Sequence, residues 1–260
     1  MIIIQPSGGL CNRMRVINSA YILAQKKHCK LVVLWKMCDE LNCPFEKLFL
    51  LPEELVVYNF KSNFNLKKLF YQLSCKQRFQ NSHIENHTAQ GRLHEDFLNS
   101  LGTSVYISTW EHFYPAQDYH LFVPTPALQA RVDAIVKELG SHGVGVHIRR
   151  TDNTWSIANS KSDDFFMAIR QELAEFPDAK FYIATDDARE EEQLCREFGT
   201  AIVTNPKKTL ARDSVEGMQD ALIDLFCLSK TTKIFGSFYS SFTDIAADIN
   251  GIEKIVVGKP

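Results

Sequence analysis

Val144-Gly145-Val146-His147-Ile148-Arg149-Arg150-Thr151-Asp152 runs from small and β-branched residues straight into a histidine, two adjacent arginines and an acid. The apolar half reads as a buried strand. The polar half reads as the loop at its carboxyl end, where open α/β sheets hold their ligands. Two guanidinium groups there call for an anionic partner, because a buried unpaired charge is costly. A planar fork of donors suits phosphate oxygens. Neighbouring side chains on extended backbone point to opposite sides. If Arg149 faces a ligand, Arg150 therefore turns towards an internal partner such as Asp186 or Asp152.

Outward from this stretch the chain alternates helices and strands. Helices over residues 127–139, 163–175, 188–198, 214–229 and 240–249 alternate with strands over 143–148, 180–185, 201–204, 233–236 and 254–257. That pitch predicts a parallel sheet with helices on both faces. Towards the amino terminus, a strand at Ile2–Gln5, a Ser7-Gly8-Gly9 turn, a helix from about Asn12 to Lys27 and a strand at Leu31–Trp35 repeat the pattern. Residues from about Cys38 to Asn99 read as short helices and loops, followed by a strand over 104–109. Pro115, Pro124 and Pro126 punctuate the join. Two α/β halves are expected, residues 1–120 and 121–260, with a ligand cleft between them.

Composition narrows the class. The 260 residues carry a net charge of −2, against the basic surplus of a nucleic-acid binder. No apolar run approaches the roughly 20 residues that span a bilayer, and the start lacks a signal peptide's basic region. Seven cysteines without a Cys-x-x-Cys pair suit reduced thiols and a cytoplasmic protein. His28, Cys29, Cys38 and Cys43 match no common zinc spacing.

Three further segments could carry chemistry. Ser7-Gly8-Gly9-Leu10-Cys11-Asn12-Arg13 joins a strand to a helix, and its glycines allow close backbone approach to an anion, with Asn12 and Arg13 aimed at the ligand. It lacks the third glycine of a dinucleotide fingerprint and the lysine of a P-loop. Asp186 and Asp187 could bind a divalent cation; alternatively Asp187 caps the next helix and Asp186 pairs with an arginine of the 147–150 loop. Gly236-Ser237-Phe238-Tyr239-Ser240-Ser241 places hydroxyls at a helix start, suited to phosphate or to simple capping. Asp224 could accept two bonds from guanine, or be an ordinary solvated helix residue.

His147-Ile148-Arg149-Arg150-Thr151-Asp152, Ala184-Thr185-Asp186-Asp187, Asp224 to Ser229 and Phe238-Tyr239-Ser240-Ser241 resemble, in order and spacing, the motifs of the superfamily of α1,2-, α1,6- and protein O-fucosyltransferases. The pattern is particularly similar to the bacterial α1,6 type. Ser7 to Arg13 resembles the amino-terminal glycine loop of the same enzymes. The likeness is good over residues 126–250, thinner over 1–35 and absent over 36–103.

The resemblance implies a GT-B-like α/β fold of two Rossmann-type domains. Residues 1–120 would form the acceptor side and 121–260 the nucleotide-sugar side. It implies inverting transfer of fucose from GDP-fucose to a glycan hydroxyl, with no metal and no cofactor beyond the donor. Arg149 is implied at the β-phosphate, Asp224 at guanine, and Ser240 and Ser241 at the diphosphate. His147 would lie against the nucleotide and Asn12 near the sugar, with Gly8 and Gly9 also binding the donor. Cys11 stands where many relatives have glycine. The glutamate base that some relatives carry is absent from Gly9 and from residues 153–159, so the resemblance assigns no base; Glu111 and His112, at the end of an amino-terminal strand, are candidates for it, or else a polar rim on a loop. Rival readings are a transferase for another GDP-sugar, an inactive GDP-sugar-binding protein, and a metal-dependent phosphohydrolase using Asp186 and Asp187.

Overall fold

The structure, a computed structural model, describes residues 1–62, 64–115, 118–151, 153–206 and 208–258. They form two compact units: residues 1–125 with 211–218, and residues 126–210 with 219–260.

In the first unit the chain runs through β1 (Ile2–Pro6), α1 (Leu10–Lys26), β2 (Leu31–Lys36), β3 (Leu55–Phe60), α2 (Leu66–Ser74) and β4 (Gln77–Phe79). It continues through α3 (Asn81–Asn86), a small hairpin of β5 (Thr88–Ala89) and β6 (Arg92–Leu93), α4 (Glu95–Ser100) and β7 (Val105–Thr109). The main sheet has the order β3-β2-β1-β7-β4, and its pairs are parallel. Ile2, Ile3 and Ile4 are fully buried, as expected of a central strand covered on both faces. The 36–103 region is therefore more regular than its sequence suggests. Leu55-Val56-Val57-Tyr58 has the β-branched and aromatic content of a strand and pairs with β2 over residues 55–60. Its polar surroundings mask the signal, because an edge strand needs only one apolar face. Asn42 donates from its backbone and side chain to the carbonyls of Arg212 and Asp213, which joins residues 211–218 to this unit.

The second unit follows as α5 (Pro126–Glu138), β8 (Gly143–Ile148), α6 (Thr154–Asn159), α7 (Ser162–Glu175), β9 (Lys180–Thr185) and α8 (Ala188–Phe198). Then come β10 (Ile202–Thr204), α9 (Val215–Ser229), whose residues up to 218 belong to the first unit, β11 (Lys233–Ser237), α10 (Ser241–Asn250) and β12 (Glu253–Val257). Its sheet is parallel, in the order β10-β9-β8-β11-β12. Period-two alternation assigns the faces. Val144, Val146 and Ile148 pack with Phe165 and Ile169 of α7 and Leu194 of α8. Gly145 and His147 point the other way. A Cβ at Gly145 would meet Leu228 of α9 at 2.9 Å, and His147 meets Thr243 of α10. Helices cover both faces, as the alternation predicts.

Gly236 lets α10 lie directly on β11, since a Cβ there would stand 2.2 Å from Thr243 Cγ2. Even alanine would push the helix off its strand. In both sheets the chain reverses its direction of growth between adjacent strands: between β1 and β7 in one, and between β8 and β11 in the other. Loops diverge at such a point and leave a crevice beyond the carboxyl ends.

Candidate functional site

The β8 and β11 loops leave the second sheet at its switch point. Ser237 ties them together: its hydroxyl donates to the His147 carbonyl at 3.2 Å and accepts from the Arg149 N–H at 3.0 Å. Beyond it the chain turns through Tyr239, a non-glycine residue at φ +53° that is 76% exposed. Left-handed backbone at an aromatic residue is strained. It persists because Asn153 and Ser156 donate to the Tyr239 and Phe238 carbonyls at 2.9 and 2.6 Å.

Ser240 then occupies the N-cap position of α10, but its side chain caps nothing. Its buried hydroxyl lies 3.4 Å from His147 Nδ1. The simple capping role is thus not the one observed. The first turn of α10 keeps its partial positive charge without a side-chain cap. Ser241, half-buried, is the first residue of that turn.

His147 is buried against this turn. Its Nδ1 lies 2.8 Å from Thr243 Oγ1 and its ring stacks on Phe242 at 4.8 Å. Burial, then the nearby Arg149 charge, pushes the imidazole down to about 3. It is neutral at physiological pH, a flat wall rather than a cation.

The two arginines separate by the same alternation. Arg149 lies on the His147 side, with its side chain 22% exposed and Nε 3.2 Å from Asp186 Oδ2. Arg150 lies on the α7 side, over the Phe165 ring at 5.7 Å. Its Nε donates to Glu190 at 2.7 Å, and it also bonds the Ser160 carbonyl and the Ser162 hydroxyl. Opposite orientation is as expected, but the partner is Glu190, not Asp186 or Asp152; Asp152 lies outside the described residues. Asp186 accepts instead from the Arg150 N–H and the Thr151 hydroxyl, both at 2.7 Å. Asp187 caps α8 by accepting from the Arg189 N–H at 2.8 Å. Both acids thus carry structural bonds, and no group of three His, Cys, Asp or Glu suited to a metal occurs among the described residues.

Asp224 is a buried residue of α9, not a solvated one. The Tyr182 hydroxyl of β9 donates to it at 2.5 Å, and Lys208 Nζ stands 3.8 Å away. Lys208 also pairs with Glu191. Burial lifts the Asp224 carboxyl to about 6, against the opposing pull of Lys208 and Tyr182. The positive charge of Lys208 also bears on His147, so the acid and the histidine share one electrostatic environment. Asp220 holds the segment that carries Lys208, accepting from the Thr209 N–H at 2.9 Å and from Arg131 at 2.7 Å.

Ser237, Thr243, Tyr182, Lys208 and Glu190 were not singled out by sequence. Ser237 lies inside a quoted stretch and Thr243 just beyond it, so both could have been. Lys208 and Glu190 carry no local signal, because only the β9–α8–β10 crossover brings them to the sheet end.

The first unit presents its own switch-point loops. Gly8 adopts φ +79°, and a Cβ there would meet Asn12 Nδ2 at 3.0 Å, so the turn needs glycine. Gly9 is the N-cap position of α1. Arg13 departs from its expected orientation. Its side chain is buried, donating to the carbonyls of Gly8 and Lys36 at 2.7 and 2.6 Å, over the Trp35 ring. It shapes the glycine loop from beneath. Arg15 donates to Asn12 Oδ1 at 3.1 Å. Next to this loop, β7 is followed by Trp110-Glu111-His112, and the Ser7 N–H donates to the Thr109 carbonyl at 3.0 Å. The Glu111 N–H donates to the Thr109 hydroxyl at 2.9 Å. The His112 ring covers Gly91 of the β5–β6 hairpin, where a Cβ would stand 2.0 Å from Nε2.

Two doubly wound parallel units with these loops define a GT-B-type α/β fold, the fold of the fucosyltransferases. The solved structures that share it include the fucosyltransferase NodZ from Bradyrhizobium, with a TM-score of 0.63 and 20% identity over 94% of this chain and 91% of that one. POFUT1 in complex with GDP-fucose superposes with a TM-score of 0.59 and 11% identity, over 100% and 98% of the two chains. Arabidopsis thaliana FUT1 in complex with GDP gives 0.63 and 14%, over 100% and 70%. NodZ has also been soaked with GDP-fucose. No sequence-family profile and no curated protein matches the chain.

Proposed function

We propose that the chain is an inverting glycosyltransferase that moves fucose from GDP-fucose to a glycan hydroxyl. The observation that carries this reading is the junction of the β8 and β11 loops, where Arg149, neutral His147 and the side-chain-uncapped start of α10 converge at a sheet switch point. In this reading the diphosphate lies over the Ser240-Ser241 turn, and Arg149 takes charge from the departing β-phosphate as the C1–O bond breaks. Asp224 accepts the N1–H and amino protons of guanine, with Tyr182 fixing its orientation. Gly8, Gly9 and Asn12 serve the sugar. The acceptor proton goes to the loop after β7, which carries Glu111 and His112. Residues 1–120 serve the acceptor and 121–260 the donor.

Support comes from the fold and from the ligands seen in its relatives, NodZ with GDP and POFUT1 with GDP-fucose. The decisive test is calorimetric titration of GDP and UDP across pH. Ionised Asp224 binds guanine and protonated Asp224 does not, so GDP affinity should fall as pH drops through about 6. Asp224→Ala should weaken GDP binding roughly 30- to 150-fold and abolish that pH dependence. Equal affinities for GDP and UDP would overturn the assignment. The same carboxyl has a second consequence with its own sign. Its folded pKa lies above the unfolded one, so its contribution to folding is present below the unfolded value and is lost as pH rises to about 6.

Transfer should also proceed unchanged in EDTA, because Asp186 and Asp187 are engaged as an arginine partner and a helix cap. A requirement for magnesium or manganese would instead favour a metal role for that pair.

A further inference from the structure

Helix α2 presents its apolar side to solvent. The face turned towards the sheet is Lys68, Tyr71, Gln72 and then Cys75. Tyr71 and buried Cys75 join the cluster of Ile3, Val32, Leu34, Phe60 and Tyr106. The lysines pack over aromatic rings of β3, Lys67 Nζ 4.4 Å from Tyr58 and Lys68 Nζ 5.6 Å from Phe60. The opposite face is Leu66, Leu69, Phe70 and Leu73, spaced i, i+3, i+4 and i+7, with exposures of 74, 45, 68 and 62%. Phe64, just before the helix, is 85% exposed.

The helix is closed at both ends without this face. Asn65 accepts from the Lys68 N–H at 3.0 Å, and Arg78 donates to the Gln72 and Leu73 carbonyls. The ends of the helix are therefore held without the outward leucines and phenylalanines. Contiguous exposed apolar side chains of this size mark an interaction surface.

Charge identifies what covers it. Residues 55–84 contain Lys61, Lys67, Lys68, Lys76 and Arg78 and no aspartate or glutamate, in a chain whose net charge is −2. A second copy of α2 would bring like charges together. A surface that is apolar in depth and anionic at its rim matches both features, as the headgroup layer of an acidic phospholipid bilayer does. Among the described residues no helix is long and apolar enough to cross a membrane, so contact would be in the plane. We infer that α2, with Phe64 and the basic residues around it, docks this protein on an anionic lipid surface.

The test is flotation of the full chain with phosphatidylcholine vesicles, with and without phosphatidylglycerol. Binding should require the anionic lipid and fall sharply at high salt. Exchanging both Phe70 and Leu73 for glutamine should reduce partitioning at least about tenfold. Replacing Lys61 and Lys76 by glutamine should cost about fivefold each. All four positions are exposed, so melting temperature and GDP-induced thermal shift should match the parent. That match separates failure of this inference from failure of the nucleotide reading. Absence of binding to anionic vesicles, equal binding to neutral ones, or unchanged binding by the Phe70 and Leu73 variant would overturn the proposal. So would a dimer in sedimentation that the same variant dissolves, because the covering surface would then be a second copy.

Discussion

Arg149→Lys should lower turnover of GDP-fucose by about two to three orders of magnitude and leave the protein folded. Lysine keeps the charge but loses the planar fork that meets two phosphate oxygens at once. In the proposed mechanism that fork acts on charge that develops only as the C1–O bond breaks, so kcat should fall more than donor affinity. Folding should barely change. The Arg149 and Asp186 side chains are 22 and 18% exposed, but lysine keeps a positive charge beside the carboxylate. Asp186 also retains its bonds from the Arg150 N–H and the Thr151 hydroxyl. Steady-state kinetics beside a melting curve checks both halves. An active Arg149→Lys enzyme would remove Arg149 from the phosphate site.

The neighbouring arginine should fail in the opposite way. Arg150→Ala strands Glu190, a carboxylate only 7% exposed. Glu190 would keep only the Ser162 hydroxyl among the partners seen here, and its second oxygen is already buried without a hydrogen bond. Breaking a buried pair from one side costs about 3–5 kcal/mol, which for a chain of this size lowers the melting temperature by roughly 10 °C. The substitution also removes bonds to the Ser160 carbonyl and Ser162, which help to hold the turn into α7. Adding Glu190→Gln to Arg150→Ala should recover part of the loss, because a neutral amide is cheaper to bury. A stable but inactive Arg150→Ala protein would exchange the roles assigned to the two residues.

Much of this arrangement was legible along the chain, because it rests on local periodicity. The alternation from Val144 to Arg150 places Arg149 and Arg150 on opposite faces, and it does so in the folded protein. Strands β8, β9 and β11 announce themselves as short apolar runs between helices, and their carboxyl-end loops carry the residues of the candidate site. Asp187 reads as a helix cap from its position alone, and is one. Such features depend on a few consecutive residues and on backbone geometry common to all chains.

Other features depend on which segments the crossovers bring together. Arg150 meets Glu190, forty positions away, because α8 returns along the face that Phe165 also occupies. Lys208 reaches Asp224 by a comparable route, and neither pairing has a local signature. Arg13 follows a glycine loop as a phosphate-binding arginine would, yet it is drawn inward by two carbonyls and the Trp35 ring. In β3, edge position hid a strand that the residue types alone would support. Helix α2 is the sharpest case. The spacing of Leu66, Leu69, Phe70 and Leu73 describes an apolar face but not what covers it. Tyr71 and Cys75 occupy the ground next to β3, so the leucines and phenylalanine are turned out to solvent. Periodicity is written along the backbone, whereas the direction in which a face points is set by packing against residues remote in the chain.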